Sequence, residues 1–397
     1  MSWAHVFAER DFVSRWIGAN ANLRLVQRRL KSEIPAPRRR EFYRTWVYSH
    51  LGARHRQFED DRELSPLTIK VSPTMRCNLR CRGCFAGDSP ASADLGRETL
   101  NRVVERASAL GVRAVGVIGG EPLLVPGIFE TFRAFPRTGF YLVTNGTLMD
   151  EPTVARLQEL PNVITIFSLE GFERTNDSLR GRGVFQKILE GMHRLRSGEL
   201  IFGFSTVVHR ENVDEVVSER FLDFMIEQGC FFGGFLPYVP VGSAPRYEVV
   251  CGETEVRDYY RKIDDISRTR PLLILKEGTS DGTFLNTGCG AGETIHITAS
   301  GEAEPCNGIE FSTLNANRAD TEEIFLSDFF RDIRRLHGGK DRCCLVINHP
   351  DEVLDVVRRH GARPTHLAAR EHLEAYADWR RTDRRHSGLR SDAQGTS

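Results

Sequence analysis

The sequence lacks the features that mark several common classes of protein. It has no run of about 18 apolar residues and no apolar signal-peptide segment at its N-terminus, which argues against an integral membrane or secreted protein. Its 54 Lys and Arg balance 54 Asp and Glu, so no net charge favours general binding to nucleic acid. We therefore expect a soluble, cytoplasmic protein.

Several catalytic motifs are absent as well. The chain contains no GxxxxGK[ST], HExxH, GxSxG or EF-hand pattern, so nucleotide hydrolysis, zincin chemistry and α/β-hydrolase chemistry have no local support. No internal repeat is visible. The function must therefore be sought in other residues.

The chain does contain ample apolar sequence and an unusual set of cysteines. With 397 residues, 40% of them hydrophobic, it can form one large domain or two ordinary ones. The nine cysteines are an odd number, and three of them fall within the eight residues 77–84. Such a cluster favours metal ligation over a disulfide framework.

Hydrophobic patterning predicts an α/β fold. Short β-branched runs alternate with helical segments, which indicates βαβ units and a parallel sheet, either an incomplete barrel or a doubly wound sheet. The predicted strands are Leu67–Ser72, Ala114–Ile118, Phe140–Thr144, Val163–Ser168, Ile201–Val208 and Cys230–Leu236. The predicted helices include Arg97–Leu110, Glu151–Leu160, Val184–Leu195 and Asn212–Glu227.

Changes in composition divide the chain into six predicted parts. These are a basic helical N-terminal extension (1–64), a core barrel or sheet (65–240), a connecting segment (241–277), a small glycine- and cysteine-bearing module with a hairpin (278–350), C-terminal helices (351–379) and a disordered tail (380–397).

The sharpest signal is the C-x3-C-x2-C loop formed by Cys77, Cys81 and Cys84, directly after the first predicted strand. Three thiolates on one loop can hold three irons of a [4Fe-4S] cluster and leave the fourth iron open. A structural zinc site is the alternative, but it needs a fourth ligand, and no Cys or His follows within the next hundred residues.

This loop and the motifs after it resemble the radical SAM superfamily in spacing and order. Gly119-Gly120-Glu121-Pro122 ends the second predicted strand, Thr144-Asn145-Gly146 the third and Ser168-Leu169-Glu170-Gly171 the fourth, followed by Asp177-Ser-Leu-Arg180. The resemblance, which covers about residues 67–236, implies a partial (β/α)6 TIM-type barrel with its active site at the carboxyl ends of the strands.

The resemblance also implies the cofactor and its contacts. Cys77, Cys81 and Cys84 would hold a [4Fe-4S] cluster whose open iron binds S-adenosylmethionine. Residues of the later motifs would bind the rest of that molecule, with the carboxylate of Glu121 accepting from the methionyl ammonium and Arg180 pairing with the methionyl carboxylate. The predicted binding residues are Gly119, Gly120, Glu121, Asn145, Ser168, Glu170 and Arg180. The chain departs from the family at Gly83, where relatives often carry an aromatic residue near adenine.

The cysteines near the C-terminus form a second candidate set of metal ligands. Cys289 precedes the G-x4-C segment Gly301–Cys306, and Cys343-Cys344 follows. This pattern resembles the SPASM or twitch modules of radical SAM enzymes, and four cysteines imply one auxiliary [4Fe-4S] cluster. We favour Cys289, Cys306 and Cys344 as ligands, with Cys343 the fourth ligand or a bystander. Buried thiols that hold no metal are the alternative.

The basic N-terminal segment allows three interpretations. Residues 1–44 carry ten Arg or Lys and four Asp or Glu, with Trp, Phe and Ile at helical spacing. A solvated helix packed on the barrel is the first interpretation, and a helix that recruits the protein to lipid is the second. The third, a peptide-recognition domain, needs strands before Leu67 that the pattern does not show.

The resemblance implies reductive cleavage of S-adenosylmethionine to a 5'-deoxyadenosyl radical that abstracts hydrogen from a substrate carbon. The leading prediction is maturation of a peptide or natural product, with electrons from a flavodoxin or ferredoxin. The alternatives are modification of a lipid at a membrane surface and a non-catalytic iron-sulfur sensor or scaffold. The motifs do not identify the substrate.

Overall fold

The structure is a computed structural model that describes residues 20–50, 66, 68–87, 94–276, 289–339 and 343–386. Its strands are β1 (Thr68–Val71), β2 (Ala114–Val117), β3 (Gly139–Thr144), β4 (Val163–Ser168), β5 (Phe202–Val208), β6 (Phe232–Pro237), β7 (Leu273–Lys276), β8 (Thr294–Ile297), β9 (Ala303–Glu304), β10 (Phe311–Ser312) and β11 (Arg363–Pro364).

The α-helices are α1 (Ala21–Glu33), α2 (Ala36–Phe42), α3 (Arg97–Ala109), α4 (Ile128–Ala134), α5 (Glu151–Gln158), α6 (Glu173–Arg180), α7 (Val184–Ser197), α8 (Val213–Val216), α9 (Glu219–Glu227), α10 (Glu253–Ser267), α11 (Thr321–Leu326), α12 (Asp328–Gly338), α13 (Leu345–Asn348), α14 (Pro350–Arg359) and α15 (Ala369–His386). A π-helical segment (Tyr43–His50) follows α2, and 3-10 turns occupy Pro122–Leu124 and Tyr247–Val249.

Nine strands form one mostly parallel sheet in the order β7-β6-β5-β4-β3-β2-β1-β8-β9. At least one helix separates each pair of successive strands from β1 to β7, as parallel crossovers require. All four residues of β2 are buried, which explains its uninterrupted apolar sequence. The fold is a partial TIM-type barrel, and this confirms the predicted fold class.

All six predicted strands are present, with ends shifted by at most two residues. One predicted helix, Asn212–Glu227, is wrong as a single element, because the chain leaves the helical conformation at Val217 and Ser218. The Ser218 hydroxyl caps the new helix α9 by accepting from the amide of Phe221 at 3.2 Å. Strand β7, which lies within the predicted connecting segment, is not among the strands that the sequence predicts.

The C-terminal hairpin extends the barrel sheet. Strand β8 pairs in parallel with β1, and β9 returns antiparallel to β8 after the predicted turn at Gly301, whose φ of +86° favours glycine. The buried His296 of β8 joins the hairpin to the segment after β1, because its Nε2 lies 2.7 Å from Ser72 Oγ. Its Nδ1 lies 2.6 Å from Glu304 Oε2 on β9.

Helix α1 packs on the barrel. Its Val26 and Leu30, with Ile34 directly after the helix, are buried against residues that include Ile201 and Phe231. Even a basic residue of this helix, Arg29, is buried, and its Nη1 donates to the carbonyl of Cys230 at 2.6 Å. The apolar face of α1 is therefore covered, which supports the interpretation of a barrel-packed helix; residues 1–19 of the predicted lipid-recruiting helix lie outside the described residues.

Helix α15 continues to His386, so the predicted start of the disordered tail at residue 380 is wrong for residues 380–386. Arg380 and Arg381 attach this helix to the rest of the protein through contacts with Ile347 and Asp351. Residues 387–397 lie outside the described residues. Among the described helices, none combines the length and the apolar character needed to cross a membrane.

Candidate active site

The three clustered cysteines lie beside the carboxyl end of β1. Cys77, Cys81 and Cys84 all line a cavity of about 480 Å³ at the strand ends. Cys77 is exposed, whereas Cys81 and Cys84 are half-buried. Burial raises the pKa of the Cys81 thiol to about 11, and the nearby guanidinium of Arg180 acts in the opposite direction. Burial likewise raises the pKa of Cys84.

Gly119 and Gly120 also line the cavity, but their lack of side chains serves another purpose as well. A Cβ on Gly120 would lie 2.1 Å from the carbonyl oxygen of Arg76, and one on Gly119 would lie 2.5 Å from that of Thr74. The amide of Gly120 donates to the Thr74 carbonyl at 2.9 Å. Glycine is therefore required for this loop to pack against the segment that leads into Cys77.

Glu121 does not line the cavity, which counts against the predicted contact with the methionyl ammonium. Its carboxylate is fully buried and accepts from the Thr144 hydroxyl at 2.8 Å, the Asn145 amide at 2.8 Å and the Leu123 amide at 3.1 Å. Burial raises the pKa of Glu121 despite these donors. Glu121 therefore connects the loop after β2 to the loop after β3 through hydrogen bonds.

Asn145 connects the third motif to the cysteine loop. Its Nδ2 donates to Asn78 Oδ1 at 2.8 Å and lies 3.6 Å from the Sγ of Cys77. Its Oδ1 accepts from the amide and the hydroxyl of Thr147. The side chain thus holds the first cysteine of the loop in place, and it also faces the cavity.

Ser168, Glu170 and Arg180 line the same cavity. Arg180 Nη2 donates to Glu170 Oε1 at 2.6 Å, and the other carboxylate oxygen accepts from the Val207 amide at 2.9 Å. The Nε of Arg180 is buried without a hydrogen-bond partner among the described residues. Because Arg180 lines the cavity, its guanidinium is available to pair with a ligand carboxylate there.

Three of the C-terminal cysteines line the same cavity. Cys289, Cys306 and Cys344 line it, whereas Cys343 is buried and lies outside its lining. Contact with Cys344, together with burial, raises the pKa of Cys289 well above its ordinary value. Burial raises the pKa of Cys306 to about 12. The structure thus brings the three favoured thiols to one cavity, and Cys343 is not among its lining residues.

The donor set suits iron-sulfur clusters better than a single ion. Among the described residues, no three His, Cys, Asp or Glu side chains converge closely enough to hold one metal ion. In a [4Fe-4S] cluster each thiolate binds a different iron, so its ligands stand farther apart. Two groups of three thiols that face one cavity fit this requirement.

Sequence reasoning missed two cavity-lining residues, His209 and Tyr238. His209 follows β5, and its Nδ1 accepts from the Glu211 amide at 3.2 Å, while its buried Nε2 has no hydrogen-bond partner in the described part of the chain. Burial lowers the pKa of His209. The Tyr238 ring lies 3.8 Å from the position of a Gly83 Cβ, so this aromatic ring lies next to the position where relatives often carry an aromatic residue. Their places directly after predicted strands were the available signal.

The fold and this cysteine loop resemble those of the radical SAM class. Residues 71–222 match the family model described as the radical SAM superfamily, and the relatives that the chain resembles are enzymes of that superfamily. Radical SAM proteins bind a [4Fe-4S] cluster and S-adenosylmethionine. The resemblance seen in the sequence is thereby confirmed.

Individual curated relatives are identical to this chain at about a quarter of the matched residues. The Fe-coproporphyrin III synthase of Methanosarcina barkeri is 27% identical over 224 residues, which cover 54% of each chain. The sporulation killing factor maturation protein SkfB of Bacillus subtilis is 27% identical over 175 residues, 43% of this chain and 41% of that protein. This chain thus spans about half the length of these curated relatives.

The fold also resembles a solved structure. The crystal structure of Streptococcus suis SuiB bound to S-adenosylmethionine superposes with a TM-score of 0.59 and 19% identity over 69% of this chain and 68% of that one. At this identity, the likeness shows a common fold. This likeness does not identify the substrate of the present chain.

Proposed function

We propose that the protein is a radical SAM enzyme that abstracts a hydrogen atom from a substrate carbon and then uses a second cluster. In this proposal Cys77, Cys81 and Cys84 hold the cluster that binds S-adenosylmethionine, while Cys289, Cys306 and Cys344 hold an auxiliary [4Fe-4S] cluster. When bound, the first cluster reductively cleaves S-adenosylmethionine and so supplies a 5'-deoxyadenosyl radical. A flavodoxin or ferredoxin is the proposed electron donor.

One observation carries the proposal: both groups of three cysteines line a single cavity. A substrate in this cavity would contact both clusters. The auxiliary cluster could then accept an electron from the substrate radical or bind the substrate through an iron that lacks a protein ligand. A sensor or scaffold would need neither the shared cavity nor the buried Arg180 with its unpartnered Nε.

The chain's own residues have distinct tasks in this scheme. Arg180 would bind the methionyl carboxylate through its guanidinium, while its Nη2 stays paired with Glu170. Asn145 would hold Cys77 in position, and Glu121 would hold the loop that carries Asn145. The walls of the cavity are mostly apolar side chains such as Ile166 and Leu236, which would keep water from the reacting carbon.

We favour a peptide as the substrate. SkfB is named as a maturation protein for sporulation killing factor, another relative is named PqqA peptide cyclase, and SuiB has also been solved with its precursor peptide SuiA. A lipid substrate has less support, because the apolar face of α1 packs on the barrel.

A porphyrin is the second candidate. Fe-coproporphyrin III synthase is one relative, and an AdoMet-dependent heme synthase of Methanosarcina barkeri is 31% identical over 159 residues, 38% of this chain. Titration of the reconstituted protein with Fe-coproporphyrin III separates the candidates. A saturable shift of the Soret band that Leu236→Trp weakens would favour the porphyrin, and its absence would favour the peptide.

The core of the proposal is tested by anaerobic incubation with S-adenosylmethionine and dithionite. We expect 5'-deoxyadenosine and methionine from the wild-type protein and from Cys306→Ala, but not from Cys81→Ala. If Cys81→Ala still forms 5'-deoxyadenosine, the assignment of the first cluster is wrong. If the wild-type protein forms none while holding iron, the sensor or scaffold alternative gains support.

A further inference from the structure

His337 lies in the last turn of α12 and is completely buried, yet neither of its ring nitrogens has a hydrogen-bond partner among the described residues. Buried polar groups are nearly always paired, and an unpaired one costs about 1–3 kcal/mol. An orphaned imidazole in the interior therefore calls for an explanation. A ligand in the cavity does not account for it, since His337 is absent from the cavity lining.

The neighbour of His337 is the thiol of Cys289. The side chain of His337 lies beside this thiol, which also contacts Cys344. Cys289 and Cys344 line the cavity, whereas His337 is not among its lining residues. A group in that place can reach the sulfur of Cys289 without reaching into the cavity.

The position of His337 is built into the fold. Helix α12 packs against the turn that follows Cys289, because Arg334 Nη1 donates to the carbonyls of Gly292 at 2.9 Å and Phe325 at 2.8 Å. A Cβ on Gly292 would lie 2.8 Å from the backbone nitrogen of Arg334, so the turn and the helix are in close contact. His337 follows Arg334 by three residues, and both face the same side of α12.

We infer that His337 donates an N–H···S hydrogen bond to the iron-bound thiolate of Cys289 and thereby sets the reduction potential of the auxiliary cluster. The inference rests on the proposed function, because it requires that cluster. Hydrogen bonds to ligand sulfurs stabilise the more negative, reduced cluster and so raise its potential. His337 is thus a positioning residue and makes no contact with substrate.

Direct ligation of iron by His337 is the competing interpretation. A metal-bound imidazole almost always donates its second N–H to a partner, and the second nitrogen of His337 has none among the described residues. Its place outside the cavity lining points the same way. We therefore assign His337 to the sulfur of Cys289, and ligation becomes an outcome that the experiment detects.

The experiment uses the full chain with Cys77, Cys81 and Cys84 replaced by alanine, so that only the auxiliary cluster is present. After reconstitution, the cluster is titrated potentiometrically and followed by EPR. We expect His337→Phe to keep about four irons per chain but to lower the midpoint potential, and His337→Gln, which retains an N–H donor, to restore much of the shift. Arg335→Ala, an exposed site on the same helix, is the control and should leave the potential unchanged.

Three results would overturn the inference. An unchanged potential in His337→Phe would show that no hydrogen bond tunes the cluster. Loss of iron in that variant, with strong hyperfine coupling to ¹⁵N-histidine in the parent protein, would make His337 a ligand. A parent protein that binds no cluster would remove the proposed auxiliary cluster itself, which distinguishes that failure from the other two.

Discussion

The backbone amide of Arg82, between the second and third cysteines of the loop, donates to the carbonyl of Leu179 at 2.9 Å. Leu179 immediately precedes Arg180, so this bond fixes the distance between the cysteine loop and the guanidinium. A molecule that binds iron at one end and Arg180 at the other would find both groups already positioned for binding. Such pre-organisation reduces the entropic cost of binding.

Replacement of Arg180 by lysine should weaken the binding of S-adenosylmethionine. Lysine keeps a positive charge but lacks the rigid planar fork of N–H donors that pairs bidentately with carboxylates. We expect the dissociation constant, measured by equilibrium dialysis on reconstituted protein, to rise at least about tenfold, or about 1.4 kcal/mol. Arg182→Ala, an exposed site two residues away, should bind as the wild type does. Equal affinity in Arg180→Lys would contradict the assigned role.

Glu121→Gln should destabilise the protein without removing a cavity-lining group. The carboxylate oxygens accept from two backbone amides, so a Gln side chain must point its NH₂ at one of them. One buried donor then loses its acceptor, at a cost of about 1–3 kcal/mol. Urea unfolding measures this cost, with Glu130→Gln, an exposed site, as the control. If the two variants have the same free energy of unfolding, the hydrogen bonds of Glu121 do not stabilise the fold.

The adjacent cysteines allow a matched comparison. Cys344 lines the cavity and Cys343 does not, although both are buried. After reconstitution we expect Cys344→Ala to hold about four irons per chain and Cys343→Ala about eight. The reverse pattern would make Cys343 the ligand.

Ser72→Ala should weaken the attachment of the C-terminal hairpin to the barrel. The Ser72 hydroxyl is the partner of His296 Nε2, and its loss leaves a buried nitrogen unpaired, at a cost of about 1–3 kcal/mol. Ser178→Ala removes an exposed hydroxyl and is the control. If both variants unfold at the same urea concentration, the contact between Ser72 and His296 does not hold the hairpin.

Much of the barrel could be predicted from the sequence, because buried parallel strands leave continuous apolar runs between amphipathic helices. The cysteine loop and the later motifs could also be located, since their spacing is local. Pairing of β8 with β1 could not, because it joins segments more than 220 residues apart. No short-range pattern encodes such a contact.

The roles of single side chains were harder to predict. Glu121 lies in a motif associated with cofactor binding, yet its orientation depends on Thr144 and Asn145, which belong to another loop. His209 and His337 carry no motif at all. Only the folded structure shows that they are buried and that each has a ring nitrogen without a hydrogen-bond partner among the described residues. Burial and partners are tertiary properties, which explains why the sequence did not identify these residues.

In our proposal, two groups of cysteines hold two clusters at one cavity. The content of iron and acid-labile sulfide of the wild-type chain after anaerobic reconstitution tests this directly. We expect about eight of each per chain, because each cubane carries about four. About four of each would contradict the claim, since a single cluster would then serve the cavity and the C-terminal cysteines would hold no metal.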